Sequence, residues 1–165
     1  DLPWLQTQDG KGFKDFVDLL ENFLLRMAVM DLPVIGAING NCYAGGAIMA
    51  SAFDFRFMRA DRGRFCFSEV NIKIPFTPVM TEIIRLLPDQ QALRDLALIG
   101  KAVGGEEALR MKVADSIYPE DELLPTAMAF AEMMAEKDRS TFGSIKRGLR
   151  LGLSQTARER GFIRG

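Results

Sequence analysis

Asn39-Gly40-Asn41-Cys42-Tyr43-Ala44-Gly45-Gly46-Ala47-Ile48-Met49-Ala50 is the stretch on which the fold turns. It reads as a strand, a tight glycine turn and the first turns of a helix. Upstream, Pro33 to Ile38 is a short apolar run between a proline and Asn-Gly, the pattern of a buried parallel strand. Downstream, Gly45 to Phe53 carries small side chains that suit close packing against a sheet or a ligand. A junction of this kind leaves backbone N–H groups at the helix start without intrahelical partners. Such groups can stabilise a developing oxyanion. Further on, Glu69 stands in Phe65-Cys66-Phe67-Ser68-Glu69-Val70. A carboxylate among apolar residues is a candidate proton carrier, because burial disfavours its charged form. An oxyanion site and one such glutamate together point to enolate chemistry.

Composition narrows the options. The chain has 165 residues, 48% of them hydrophobic, enough for one domain with a packed core. A formal net charge of −1 implies no surface for nucleic acid. No apolar run approaches the length of a membrane span, and no secretory leader pattern opens the chain. The chain is not expected to be secreted; the cytoplasm or, on the resemblance given below, the peroxisome is the expected location. Cys42 and Cys66 both sit in apolar segments and read as buried thiols rather than a disulfide. With no histidine in the sequence, Ser-His-Asp and Cys-His catalysis and most zinc sites drop out. No metal and no separate cofactor is expected.

Outward from the opening stretch, apolar residues between Phe13 and Met30 fall at helical spacing. Asp54 to Ala60 alternates as a strand does, and Arg64 to Ser68 reads as another short one. Pro75-Phe76-Thr77-Pro78 is a rigid loop before a helix from Val79 to Leu87. Gln90 to Ile99 is a second helix, ended by Gly100. A short helix begins at Gly104-Gly105, and Ala114 to Tyr118 reads as an edge strand. Helices follow over Glu122 to Lys137 and Ser140 to Leu151, with Ser140 as the expected N-cap. Met128, Phe130, Met133 and Met134 offer apolar surface beyond one face. Arg59/Arg62 and Lys146/Arg147 read as solvated pairs, with a lesser reading of Lys146 or Arg147 near a CoA phosphate. The class is α/β with a helical C-terminal region.

In this order the residues resemble the crotonase superfamily of enoyl-CoA hydratases and isomerases. The strings are Pro33-Val-Ile-Gly-Ala-Ile-Asn-Gly40, Ala44-Gly45-Gly46, Phe53-Asp54-Phe55-Arg56 and Ala60-Asp61-Arg62-Gly63-Arg64-Phe65. Ser68-Glu69-Val70-Asn71-Ile72, Gly100-Lys101-Ala102-Val103 and Glu106-Glu107-Ala108 continue them. The loop Ile74-Pro75-Phe76-Thr77-Pro78 is similar to that of peroxisomal Δ3,Δ2-enoyl-CoA isomerases.

The resemblance implies a ββα spiral over 1–120, incomplete at its N-terminus, and a helical trimerisation region over 121–165, giving a homotrimer or a dimer of trimers. It implies an acyl-CoA thioester as substrate, the CoA being part of that substrate. The thioester oxygen would be held by the Gly45 N–H and by a donor in an upstream glycine-rich segment, of which Asp1-Leu2 reads as the tail. Glu69 would be the catalytic base. Ala44, Gly46, Ile48, Ile74, Pro75 and Phe76 would line the substrate site. Hydratases carry a second glutamate where this chain has Ile48, so the pattern favours double-bond isomerisation. Another single-glutamate reaction, a weak hydratase, or a non-catalytic acyl-CoA-binding or assembly protein are the alternatives. Lys112 stands where glycine is usual, which should alter a local turn.

Overall fold

The computed structural model describes residues 2–163. Two helices open the chain, α1 (Leu2–Gln6) and α2 (Gly10–Val29). The side chain of Asp9 caps α2 by accepting the Gly12 N–H. The stripe expected from Phe13 onward becomes the face that buries Leu24, Leu25, Ala28 and Val29. Two ββα units follow: β1 (Ile35–Ile38), β2 (Cys42–Tyr43) and α3 (Gly45–Ala52), then β3 (Phe55–Arg59), β4 (Phe65–Cys66) and α4 (Glu69–Ile72).

The units stack as turns of a spiral. β1 pairs in parallel with β3, and β2 in parallel with β4. Each unit therefore gives one strand to each of two small sheets. After α5 (Pro78–Ile84) and α6 (Gln90–Ile99), β5 (Ala102–Val103) joins β4 antiparallel. After α7 (Gly105–Arg110), β6 (Ser116–Tyr118) joins β3 in parallel. The sheet orders are β1-β3-β6 and β2-β4-β5. Three helices close the chain: α8 (Glu120–Ala135), α9 (Arg139–Leu149) and α10 (Leu151–Glu159). This is the mixed α/β spiral expected.

Close backbone contact between the two units depends on Gly63. Its φ is +88°, and a Cβ there would lie 2.3 Å from the Gly40 carbonyl oxygen. Only glycine lets the β3–β4 corner rest on the Asn39-Gly40 turn. The main core gathers Leu24, Leu25, Ile48, Phe65, Phe67 and Leu96, all nearly without exposure. Each such side chain contributes about 1.5–3 kcal/mol of burial. Cys42 and Cys66 are buried free thiols, and burial pushes the Cys42 thiol up to about 12.

Several expectations change. The strands are shorter than the apolar runs, and Val34 lends its N–H to the Asp54 carboxylate at 2.8 Å. Ser140 does not cap α9; the Asp138 side chain does, accepting the Thr141 N–H. Lys112 takes the left-handed conformation itself, with φ 56°. Its N–H reaches the Leu109 carbonyl and that of Val113 reaches Ala108, so the turn survives without glycine. Phe130 faces inward, its ring packed at 4.9 Å from that of Phe55 and 5.2 Å from that of Phe57, whereas Met128 and Met133 are exposed.

Three basic residues read as solvated are not. Arg59 is buried and pairs with Asp61 and Glu120, both at 2.7 Å. Arg147 pairs with Asp31. Lys146 is 4% exposed and pairs with Asp54 at 2.7 Å. Arg150 binds the other oxygen of Asp54 at 2.9 Å and donates to the carbonyls of Ala28 and Ala52. Lys146 is thus committed to the junction between the strand layer and the C-terminal helices. Its ammonium is held below its ordinary pKa, first by burial, with Asp54 opposing.

Candidate active site

The parallel pairing of β2 with β4 sets up the site. Cys42 faces Phe65 and Tyr43 faces Cys66, and the Ala44 N–H then donates to the Cys66 carbonyl at 3.0 Å. Both strands leave the sheet at the same end. The first continues into α3 at Gly45; the second continues through Phe67 and Ser68 into α4 at Glu69.

Ala44 bears the strain of this junction. Its φ of 47° and ψ of −123° belong to a region that glycine favours. Such backbone outliers cost on the order of 1–3 kcal/mol and gather at functional positions. The chain turns sharply there, so α3 starts with no side-chain cap. Among the described residues the Gly45 N–H has no hydrogen-bond partner. A Cβ on Gly45 would meet nothing within 4 Å, so open space lies beside it.

Glu69 was expected near the end of a strand; it is instead the first residue of the four-residue α4. Its backbone carbonyl accepts the N–H of Lys73 and, at 3.0 Å, that of Ile74. The side chain is 6% exposed. Its Oε2 is fully buried and has no hydrogen-bond partner among the described residues. Burial lifts the carboxyl above its ordinary value, with the backbone N–H of the same residue opposing. Burial, and then the nearby Glu69 charge, also raise the Cys66 thiol.

Glu69 borders a cleft of about 680 Å³ between α4, α5 and α6. Ile74, Pro75 and Phe76 line it. The Phe76 ring packs edge-on against Phe67 at 5.8 Å, and Thr77 caps α5 by accepting the Met80 N–H. Ala44, Gly45 and Gly46 are half-buried at the adjacent junction and are not among the residues that line the cleft. Ile48 is one turn into α3 and packed in the core at 2% exposure. Asp1, expected with Leu2 to close an upstream donor segment, lies outside the described residues.

The cleft also has polar walls that sequence reasoning missed: Lys73, Arg85, Gln90 and Arg94. Gln90 and Arg94 share a helix face by their spacing of four. Nothing in the local sequence says that this face borders Glu69. That juxtaposition comes from α4 packing on α6, where Asn71 donates to the Gly100 carbonyl at 3.3 Å. Gly100 ends α6 with φ 69°, and a side chain there would collide with Asn71.

Comparison with known proteins gives the family and the fold. A family model described as enoyl-CoA hydratase/isomerase matches residues 7–162. The chain belongs to the enoyl-CoA hydratase/isomerase family. The peroxisomal enoyl-CoA delta isomerase 2 of Arabidopsis thaliana is 33% identical over 159 residues, covering 90% of this chain. The chain spans 66% of that relative's length. A carnitinyl-CoA dehydratase of Escherichia coli is 29% identical over 118 residues, 71% of this chain and 44% of that protein. A crystal structure of an enoyl-CoA hydratase from Mycobacterium ulcerans superposes with a TM-score of 0.86 at 22% identity. It matches over 96% of this chain and 69% of its own, which establishes the crotonase fold.

Proposed function

We propose that the chain isomerises 3-enoyl-CoA to 2-enoyl-CoA. The observation that carries this reading is the buried, unpartnered Oε2 of Glu69 at the wall of the cleft. The Gly45 N–H would donate a hydrogen bond to the thioester carbonyl oxygen. Glu69 would take a proton from C2. The C–H electron pair would then spread over the carbonyl and the C3–C4 double bond as a dienolate held at the oxygen. The same carboxyl would return its proton at C4, leaving the double bond between C2 and C3. One base suffices, because proton removal and return occur on one face of the acyl chain.

A second reading is addition or loss of water, as in the dehydratase relative. Ile48 weighs against it, since an isoleucine in the core can neither orient nor activate water. We also propose that residues 121–165 take part in a trimer or a dimer of trimers. Leu124, Met128 and Met133, exposed on α8, support this. The peroxisome is the favoured compartment over the cytoplasm, on the name of the Arabidopsis relative. Among the described residues no helix is long and apolar enough to cross a membrane.

The test is turnover of 3-enoyl-CoA beside hydration of 2-enoyl-CoA. Isomerisation should be much the faster. Comparable rates would overturn the single-base reading, and no turnover of either would favour a binding or assembly role. Light scattering at micromolar concentration tests the assembly; a monomer alone would count against it.

A further inference from the structure

The inference rests on the proposed reading, in which the carbonyl oxygen is held at Gly45 and C2 to C4 face Glu69. On that reading the acyl chain beyond C4 would run past Glu69 into the space walled by α4, α5 and α6, which Glu69 borders. The floor there is apolar, with Ile74, Phe76, Ile84 and Leu93 among its residues.

The charge around this space is one-sided. Besides Glu69 itself, the ionisable residues that line it are Lys73, Arg85 and Arg94, all cationic. Lys73 and Arg94 have no ion-pair partner among the described residues. Arg85 pairs only loosely with Glu82, at 3.5 Å, with both side chains more than half exposed. Lys73 is notable for its backbone as well. It ends α4 in the left-handed conformation, with φ 61°, where glycine would be relaxed and a side chain is strained. An unbranched hydrocarbon tail gains nothing from three cations around its far end, and their hydration opposes its entry. A tail that ends in an anion gains from all three.

We infer that the cleft selects acyl thioesters whose far end carries a carboxylate, with Arg94, Lys73 and Arg85 as its counter-charges. The carboxylate would sit at the open side of the cleft, where the cations remain hydrated. The contacts are therefore moderate individually and additive in selectivity.

The experiment is calorimetric binding of two saturated acyl-CoAs of matched length, one ending in methyl and one in carboxylate, to the 165-residue chain at low salt. Saturated probes cannot turn over, so the result does not depend on catalysis. The carboxylate-ended probe should bind about tenfold more tightly, roughly 1.4 kcal/mol. That ratio should shrink as salt shortens the Debye length, and a third probe ending in trimethylammonium should bind worst. In the Lys73→Gln/Arg94→Gln double variant the ratio should fall toward one. Equal affinity for the two ends, or no binding of either, overturns the inference. So does an equal loss for both ends in the variant, since the cations would then be holding the phosphates common to the two probes. If the variant does not fold, the salt dependence of the parent ratio decides. Turnover of methyl-ended 3-enoyl-CoA separates the two proposals. A chain that isomerises it yet ignores the end group sinks only the present inference. A chain that prefers the carboxylate yet isomerises nothing sinks only the proposed reaction.

Discussion

Asp54 and Glu69 are both carboxylates withdrawn from solvent, and their surroundings could hardly differ more. Asp54 is saturated. Its Oδ2 accepts from Lys146 at 2.7 Å and from the Val34 N–H at 2.8 Å, and its Oδ1 lies 2.9 Å from Arg150. Arg56 adds a further buried guanidinium nearby, held on the carbonyls of Val113 and Phe53. Burial draws the pKa values of Arg56 and Arg150 down. Among the described residues Glu69 forms no ion pair, and its Oε2 has no hydrogen-bond partner. A buried charge with every lone pair met ties elements together. A buried carboxyl left unmet is free to exchange a proton and is held near the condition in which it can. The contrast separates scaffold from chemistry more sharply than burial alone.

The largest test of this contrast is Glu69→Gln. It should lower isomerase turnover by about 10²–10⁴-fold with the fold intact. Near-normal turnover would mean that Glu69 is not the base. Asp54→Ala should do the reverse and reduce stability. It strands Lys146 and Arg150 without their anion, at a cost of about 3–5 kcal/mol in urea unfolding. Replacing Asp54 and Lys146 together by leucine and methionine should recover part of that loss. A double variant no better than Asp54→Ala would show that the pair is not the origin of the effect.

Gly45→Pro comes next. Proline is tolerated at the first position of a helix, yet it removes the N–H assigned to the thioester. Turnover should fall by about 10²–10³-fold, with the melting curve recorded to account for the strained Ala44 before it. An unchanged rate would remove Gly45 from the mechanism.

The pH response distinguishes the carboxylates more gently. Folding raises the Glu69 carboxyl above its ordinary value, so the folded chain binds more protons than the unfolded one between the two. Stability should therefore decline as pH climbs from the ordinary carboxyl range through the raised folded value, then level off. Turnover should rise across that same upper step, because the base must be ionised. Glu69→Gln should abolish this part of the stability slope. A variant that keeps it would assign the slope to another group. The smallest effect belongs to Ala44→Gly, which relieves the positive φ and should raise stability by up to roughly 1 kcal/mol. A drop in the urea midpoint would show that Ala44 is not strained.

Much of this was legible in the sequence, for identifiable reasons. The Pro33-to-Ala50 stretch signals its strand, turn and helix through residues that act locally: proline, Asn-Gly, paired glycines. The helix over Gln90–Ile99 is bounded at one end by Asp89, whose side chain caps it, and at the other by Gly100. Glu69 stood out because its neighbours are apolar. What escaped depended on distant partners. Lys146 and Arg150 look like surface residues on any local reading, since Asp54 is 92 residues from Lys146 in the chain. Arg94 borders Glu69 only through the packing of α6 on α4. The helix α4 is too short for a periodic signal, so Glu69 looked like the end of a strand. Strain at Ala44 has no signature in composition, because alanine is ordinary at most helix starts.

The clamp at Arg150 has a consequence for how the chain is made. Its guanidinium closes on the carbonyl of Ala28, 122 residues earlier. At a synthesis rate of about 5–20 residues per second, roughly 6–24 s pass between the emergence of the two. Over that interval α2 can form, but the α10 surface that covers it does not yet exist. A nascent chain therefore has α3 and α5 to cover part of the Leu24-to-Val29 stripe, and the part that meets α10 stays open until the last helix arrives.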